Sequence, residues 1–343
     1  MQKNIFRVTL IALLTFCLPF LCAAKAKSAI IDKPEVKAFI QHMVDKHDFN
    51  KNDLTKWFKQ ATVQTKVLDK IAHPYEALPW HRYQPIFMSK ERIQEGALFW
   101  KNHEKALARA KKEYGIPPEI IVAIIGVETF YGKKTGDFPV LDSLITLGFY
   151  YPPRSKFFIS ELEHFLLLTR EEGWDPRTIK GSYAGAMGYP QFISSSYRKF
   201  ATDFDDNKSR DLHNSSHDSI GSVANYFKSH GWKPGELVAF PVHASAKQFE
   251  KLAAPKQSPK PSHTLSQWSK MGIEIPGDAK INEKNLQKDS FALISLKGID
   301  ANEYWLGSQN FYVITRYNHS DHYAMAVYTL SEKIKKAHRE LPA

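Results

Sequence analysis

The segment PPEIIVAIIGVETFYG, residues 117–132, constrains this chain most, because it calls for an apolar helix that carries a carboxylate on its inner side. Pro117 and Pro118 suit a first turn, where an N–H would lack a helical partner anyway, and Glu119 complements the positive helix end. Ile120, Ile121, Ile124 and Ile125 recur at helical spacing. Glu128 follows Ile121 by seven residues, Ile124 by four and Ile125 by three, so its side chain is expected to point inward with them. Gly132 offers a stop. Burial and the negative helix end both disfavour a charged carboxylate and push its expected pKa upward, as a general acid near neutral pH requires. The plain alternative is a core glutamate satisfied by hydrogen bonds, although fully buried unpaired glutamates are rare. Some fifty residues later, GSYAGAMGYPQF (181–192) supplies a pliable polar and aromatic wall. A carboxylate facing such a wall is one way to build a sugar-cleaving site.

The amino terminus reads differently. Lys3 and Arg7 precede an apolar run from Val8 to Ala24, broken by Thr9, Thr15 and Pro19, shorter and less uniform than a membrane-spanning helix. This is the pattern of an export signal over residues 1–24, with small residues at Ala23, Ala24 and Ala26 for cleavage; retention as an anchor stays open, and Leu21 before Cys22 disfavours lipidation. Both cysteines, Cys17 and Cys22, belong to this segment, so a chain cleaved after Ala24 is held by its core without disulfides. Cleavage would remove Lys3 and Arg7 and take the formal charge from +11 to +9. A basic surface favours anionic partners. With no nucleic-acid recognition module in view, an envelope polymer or lipid is the more consistent partner, beside the plain reading of a solvated basic face.

Residues 34 to about 114 read as helical, with Val36, Phe39, Ile40 and Met43 on one stripe and Ser89 capping a longer helix that carries Ile93, Leu98, Trp100 and Leu107. A helical core is expected over about 115–235, with helices near 117–131, 157–172 and 217–230. Residues 253–263, rich in Pro, Lys and Ser, mark a loop or domain edge. Phe291–Lys297 and Tyr304–Tyr317 suggest strands, followed by a helical stretch from Asp321 to His338. The expected class is α+β, mainly α.

Five segments then carry a resemblance: GVETFYG (126–132), DSLITLGFYYPPR (142–154), KGSYAGAMGYPQF (180–192), IGSVANYFKSHGW (220–232) and RYNHSDHYAMAVY (316–328). In that order they resemble the B-type lytic murein transglycosylases over nearly all of the chain beyond the leader. The resemblance implies a lysozyme-like helical catalytic core over 115–235, completed by 313–329. It implies a helical accessory domain over 29–114, joined by 330–343, and a small β-rich domain over 236–312. It implies cleavage of the β-1,4 bond between N-acetylmuramic acid and N-acetylglucosamine without added water, with Glu128 as the single acid and then base. Asp137, Asp142 and Asp175 remain available as partners, with capping or surface roles the plainer reading. By the same resemblance Ser182 and Gln191 contact substrate and the glutamate, and Tyr83, Tyr183, Tyr226, Tyr317 and Tyr323 line the cleft. Asn318 orients substrate, and Arg154 receives a stem-peptide carboxylate, although Pro153 replaces the second basic residue of the pair.

Asp203, Asp205 and Asn207 alternate as oxygen ligands do in calcium loops, with the Ser209 carbonyl and Asp218 to complete the set. The resemblance implies calcium there and no organic cofactor; Lys208 stands where the turn expects glycine, and Asp218 replaces the usual closing glutamate. Implied partners are peptidoglycan strands and cell-wall synthesis or divisome proteins, with no nucleic acid, for a monomer in the periplasm of a Gram-negative bacterium. A hydrolytic muramidase and a non-catalytic glycan-binding scaffold are the competing readings.

Overall fold

The computed structural model describes residues 30–73, 78–252, 259–276 and 288–342. The expected leader over 1–24 and residues 253–258 of the Pro-rich edge lie outside the described residues. The chain enters α1 (Pro34–His47), α2 (Lys51–Gln60), α3 (Thr65–Ala72), α4 (Trp80–Tyr83), α5 (Lys90–Asn102), α6 (Glu104–Tyr114) and α7 (Pro118–Thr129). Proline opens α1, and its Val36, Phe39, Ile40 and Met43 are buried as their spacing predicts. The Ser89 hydroxyl caps α5 by accepting from the Arg92 N–H at 3.2 Å.

The expected long helix through Leu107 is in fact two. His103, at φ −122° and ψ 24°, leaves the helical region, and Glu104 starts α6. Aromatic contacts flank the break: His103 sits against Phe99 with centroids 4.4 Å apart, and Trp100 stacks on His338 at 4.3 Å. Leu98, one of the apolar residues expected along that helix, is exposed.

Helix α7 is the centre of the molecule. Its residues from Pro118 to Gly126 are all buried, so it is apolar all round rather than striped. It packs against α5, α6, α11 (Ser216–Ser229) and the C-terminal helix Asp321–Arg339. The helix ends earlier than Gly132. Phe130 and Tyr131 take up φ of 52° and 62°, a left-handed region that side chains with a Cβ rarely occupy. The surroundings hold them there. The Phe130 N–H donates to Gly126 O at 3.1 Å and the Tyr131 N–H to Ile125 O at 3.3 Å. The Tyr131 ring covers Gly126, where a Cβ would strike it, and its hydroxyl donates to Arg92 O at 2.7 Å. The Arg92 guanidinium donates back to Gly126 O and lies over the Phe130 ring.

Beyond α7, β1 (Phe138–Pro139) pairs antiparallel with β2 (Lys180–Gly181), enclosing α8 (Val140–Tyr150) and α9 (Ser155–Glu171), and α10 (Ser194–Phe200) precedes α11. A second antiparallel sheet has the order β3-β6-β5-β4, from β3 (Ala239–Val242), β4 (His263–Thr264), β5 (Ser290–Lys297) and β6 (Asn302–Gly307). Strand alternation lets β5 serve two cores: Phe291 and Leu293 join a small cluster with Phe240, Trp268 and Leu306, while Ile294 and Leu296 join the main helical core. The strand expected over Tyr304–Tyr317 stops at Gly307. Ser308 then caps a helix over Gln309–Tyr317 by accepting from the Asn310 N–H at 3.0 Å, and local capping overrides the β preference of the aromatic and branched residues. Among the described residues no helix is long and apolar enough to cross a membrane.

Candidate active site

Glu128 occupies the last turn of α7 and is half-buried, less enclosed than the isoleucines before it. Its Oε1 accepts a hydrogen bond from the Tyr323 hydroxyl at 2.5 Å. Ser320 makes that possible: its hydroxyl caps the C-terminal helix by accepting from the Tyr323 N–H at 3.2 Å, which sets the tyrosine one turn inside. Burial first, and then the charge of Glu128, pushes the Tyr323 phenol well above the ordinary tyrosine value, so it stays a donor. Tyr317 is raised by the same causes in the same order, and its ring lies nearly parallel to Tyr323 with centroids 6.3 Å apart.

Tyr317 begins an aromatic wall. Tyr226 meets it edge-on at 4.8 Å, Phe192 lies 5.9 Å away, and His230 stacks behind Tyr226 at 3.9 Å. The wall borders a depression of about 620 Å³ that Arg154, Phe157, Gln191, Arg316, Asn318 and His319 also line. Arg154 and Arg316 make its rim cationic, and burial first, then the charges of Arg316 and Arg154, lower the His319 pKa and favour its neutral form. The exposed Arg154 guanidinium lies over the Phe157 ring at 4.3 Å. Sequence reading passed over Arg316 and His319, though both stand inside the motif that drew attention to Tyr317 and Asn318.

The glycine-rich segment closes the site's other side. Gly188, at φ 71°, approaches the Leu212 backbone so closely that a Cβ would strike its carbonyl. Gln191 adopts φ 50°, a conformation rare outside glycine, and its side-chain amide donates to Thr135 O at 3.0 Å and Gly188 O at 2.9 Å. Ser182 accepts from the Ala184 and Ala186 N–H groups at 3.2 and 3.1 Å. Both polar side chains thus brace the loop itself. Thr129, beside Glu128, donates to Tyr189 O at 2.9 Å, and the Tyr317 hydroxyl donates to Pro190 O at 2.6 Å. Those two bonds tie the loop to the helix bearing the carboxylate and to the wall opposite.

The other expected residues divide. Tyr83 is enclosed among Trp80, Phe87 and His322, close enough to Tyr323 to raise its pKa, so it backs the wall rather than facing the opening. Tyr183 packs on the main core, and its neighbour Ala184 lines the depression. Asp142 accepts from Gln64 Nε2 at 3.1 Å, Asp175 is held by Arg177 at 2.6 Å, and Asp137 is exposed.

Away from the carboxylate, oxygens of Asp203, Asp205 and Asp218 lie within 4.8 Å of one another. Asp218 is fully buried at the start of α11 and accepts from the Phe204 and Asp211 N–H groups at 2.7 and 2.9 Å. Burial raises its pKa first, and the Asp205 and Asp203 charges add to that. Asp203 accepts from the Asn207 and Lys208 N–H groups, and Asn207 Oδ1 from the Ser209 N–H at 2.8 Å. Lys208 does take the left-handed conformation a glycine would favour, at φ 72°. Three mutually repelling carboxylates, one of them buried, form a donor set that suits a hard divalent cation.

The profile of the Transglycosylase SLT domain family matches residues 32–332. Membrane-bound lytic murein transglycosylase B of Escherichia coli is 41% identical over 316 residues, which cover 89% of this chain and 84% of that protein. The structure of E. coli lytic transglycosylase Slt35 in complex with calcium superposes with a TM-score of 0.79 at 41% identity, covering 90% of this chain and 95% of that one. SltB3 from Pseudomonas aeruginosa, solved in complex with NAG-NAM-pentapeptide, gives a TM-score of 0.74 at 28% identity over 88% of this chain and 79% of its own.

Proposed function

Since the chain belongs to the SLT-domain transglycosylases and is a peptidoglycan lytic transglycosylase, we propose that Glu128 alone carries both proton transfers of the cleavage. The observation that supports this most is the Tyr323–Glu128 hydrogen bond at the end of the aromatic wall. Tyr323 fixes one carboxyl oxygen, so the carboxyl presents a defined face to the bound glycan. As the acid, Glu128 gives its proton to the glycosidic oxygen between muramic acid C1 and glucosamine C4, and that C–O bond breaks. The muramic acid C6 hydroxyl then attacks C1 and returns its proton to the carboxylate. The products are a glucosamine 4-hydroxyl and a 1,6-anhydromuramic end, with no water consumed.

Tyr226 and Tyr317 offer ring faces for sugar, Asn318 an amide for its polar groups, and Gln191 and Ser182 a rigid loop against which the strand lies. Arg154, with Arg316 and His319, suits the carboxylates of a stem peptide. Asp203, Asp205 and Asp218, with Asn207 and the Ser209 carbonyl, would hold calcium, which when bound neutralises the carboxylates and braces the 203–218 loop against α11. Residues 115–235 with 313–329 form the catalytic unit on this reading, and the work is done on the periplasmic wall.

Mass spectrometry of soluble products released from purified peptidoglycan tests the proposal, with Glu128→Gln alongside. Products one water lighter than hydrolysis products and absent with the variant are expected. Reducing muramic ends, or undiminished release by Glu128→Gln, would reject the mechanism.

A further inference from the structure

Helices α1 and α9 are joined at one point by a carboxylate between two imidazoles. Glu163 of α9 accepts at Oε2 from His42 Nε2 at 3.1 Å and at Oε1 from His47 Nε2 at 2.7 Å, with Lys46 Nζ on Oε1 at 3.0 Å. The two histidine rings stand nearly perpendicular with centroids 5.9 Å apart. One donor atom from each of His42, His47 and Glu163 lies within 4.8 Å of the others, and all three residues are half-buried. Neither the glycan site nor the acidic loop makes use of them.

The geometry points to a transition-metal site, formed by His42, His47 and Glu163, that clasps α1 to α9. In a tetrahedral zinc site with bonds of about 2.0–2.1 Å, neighbouring donor atoms stand about 3.3 Å apart. The separations of 3.1 Å from His42 Nε2 to Oε2 and 2.7 Å from His47 Nε2 to Oε1 need to open by about 0.2 and about 0.6 Å to admit the ion between the two rings and the carboxylate. Both Nε2 atoms already converge on the carboxylate. Each imidazole would shift its proton from Nε2 to Nδ1 and keep a neutral ligand form. The Lys46 side chain is 57% exposed and can swing into solvent, clearing Oε1. Two imidazoles and one carboxylate select zinc, nickel or copper over calcium or magnesium, which prefer all-oxygen shells. The seam is already ordered nearby: Arg170 of α9 donates to His47 O at 2.6 Å and lies over Phe49 at 4.3 Å.

The test is zinc titration of the full chain after chelator treatment, by calorimetry and native mass spectrometry, in millimolar calcium to fill the acidic loop. One zinc per chain is expected, with at least about a tenfold loss of affinity for His47→Ala and for Glu163→Gln. Glu163→Gln keeps the side chain's shape and a hydrogen-bond acceptor, so it stands as the folded control should His47→Ala unfold. Lys46→Ala removes the competing ammonium and is expected to bind zinc at least as tightly as the parent. Cobalt should give the visible absorption of a four-coordinate site in the parent and lose it in Glu163→Gln. No zinc binding by the parent up to millimolar zinc would overturn the assignment, as would binding unchanged in both variants or lost only on Asp218→Asn.

Discussion

Removing one hydroxyl isolates what Tyr323 does. Tyr323→Phe keeps the ring, which is only 2% exposed, and deletes the donor to Glu128 Oε1 at 2.5 Å. A hydrogen bond to a charged group is worth about 1.5–3 kcal/mol, and each 1.4 kcal/mol lost from the transition state costs a factor of about ten. The loss has two parts: the carboxyl regains rotational freedom, and a half-buried oxygen loses a partner. A fall in kcat of about 10- to 100-fold is therefore expected, with KM within about twofold, because the surfaces of Tyr226, Tyr317 and Asn318 that line the depression, proposed to receive sugar, are untouched. The assay is the initial rate of anhydromuropeptide release from purified sacculi, with melting curves to confirm the fold. A kcat within twofold of the parent, or a loss confined to KM, would refute the positioning role.

Four further outcomes follow from particular contacts. Gly188→Ala combines a left-handed φ with a clash at the Leu212 carbonyl, so a loss of about 2 kcal/mol or more is expected on urea unfolding, together with reduced activity as the Gln191 turn shifts. Calcium should raise the melting temperature by the equivalent of about 2.7 kcal/mol at a hundredfold excess over Kd; Asp218→Asn should abolish the shift, and Lys208→Gly, which relieves φ 72° and removes a positive charge, should tighten binding. His213 has its pKa lowered by burial, so the unfolded chain takes up its proton first. Its share of stability is full above about pH 6.5 and declines as pH falls toward the lowered native value, and His213→Phe should flatten that slope below about pH 6.5. Arg154→Ala should raise KM for peptide-bearing strands more than for peptide-free glycan, and equal effects on both would remove the stem peptide from its role.

Position was more legible in the sequence than partnership. The isoleucine spacing located α7 and Glu128 in its last turn, and the α1 stripe is buried as read. Local chemistry hidden from periodicity accounts for the departures. Hydrophobic spacing runs on through His103, whereas ring contacts from His338, far along the chain, accompany the helix break. Aromatic and branched residues suggested a strand to Tyr317, but the Ser308 cap outweighs that weak preference. Helix α7 stops at Thr129 because Arg92 and Tyr131 brace two left-handed residues, a long-range arrangement that no local glycine rule foresees. Tyr323 was read as a wall residue, and only the approach of the C-terminal helix to α7 identifies it as the donor to Glu128.

That donor bears on how one carboxylate could suffice. Retaining glycosidases place a second carboxyl about 5–5.5 Å from the first, to act as nucleophile. Here the acidic candidates nearest in sequence have other work: Asp142 accepts from Gln64, Asp175 is gripped by Arg177, and Asp137 stands in solvent. The group set against Glu128 is instead a phenol whose pKa is well above the usual tyrosine value, a donor that cannot attack an anomeric carbon at working pH. Such a site leaves the nucleophile to the substrate. A muramic acid C6 hydroxyl is tethered to the carbon it attacks, and the tether offsets the entropy that an enzyme nucleophile or a captured water would lose. On the mechanism proposed for Glu128, the protein's remaining task is to turn that hydroxyl toward C1 and hold the carboxyl where it can release one proton and accept another. A wall tied to Glu128 through Thr129, Tyr317 and Tyr323 is built for that task.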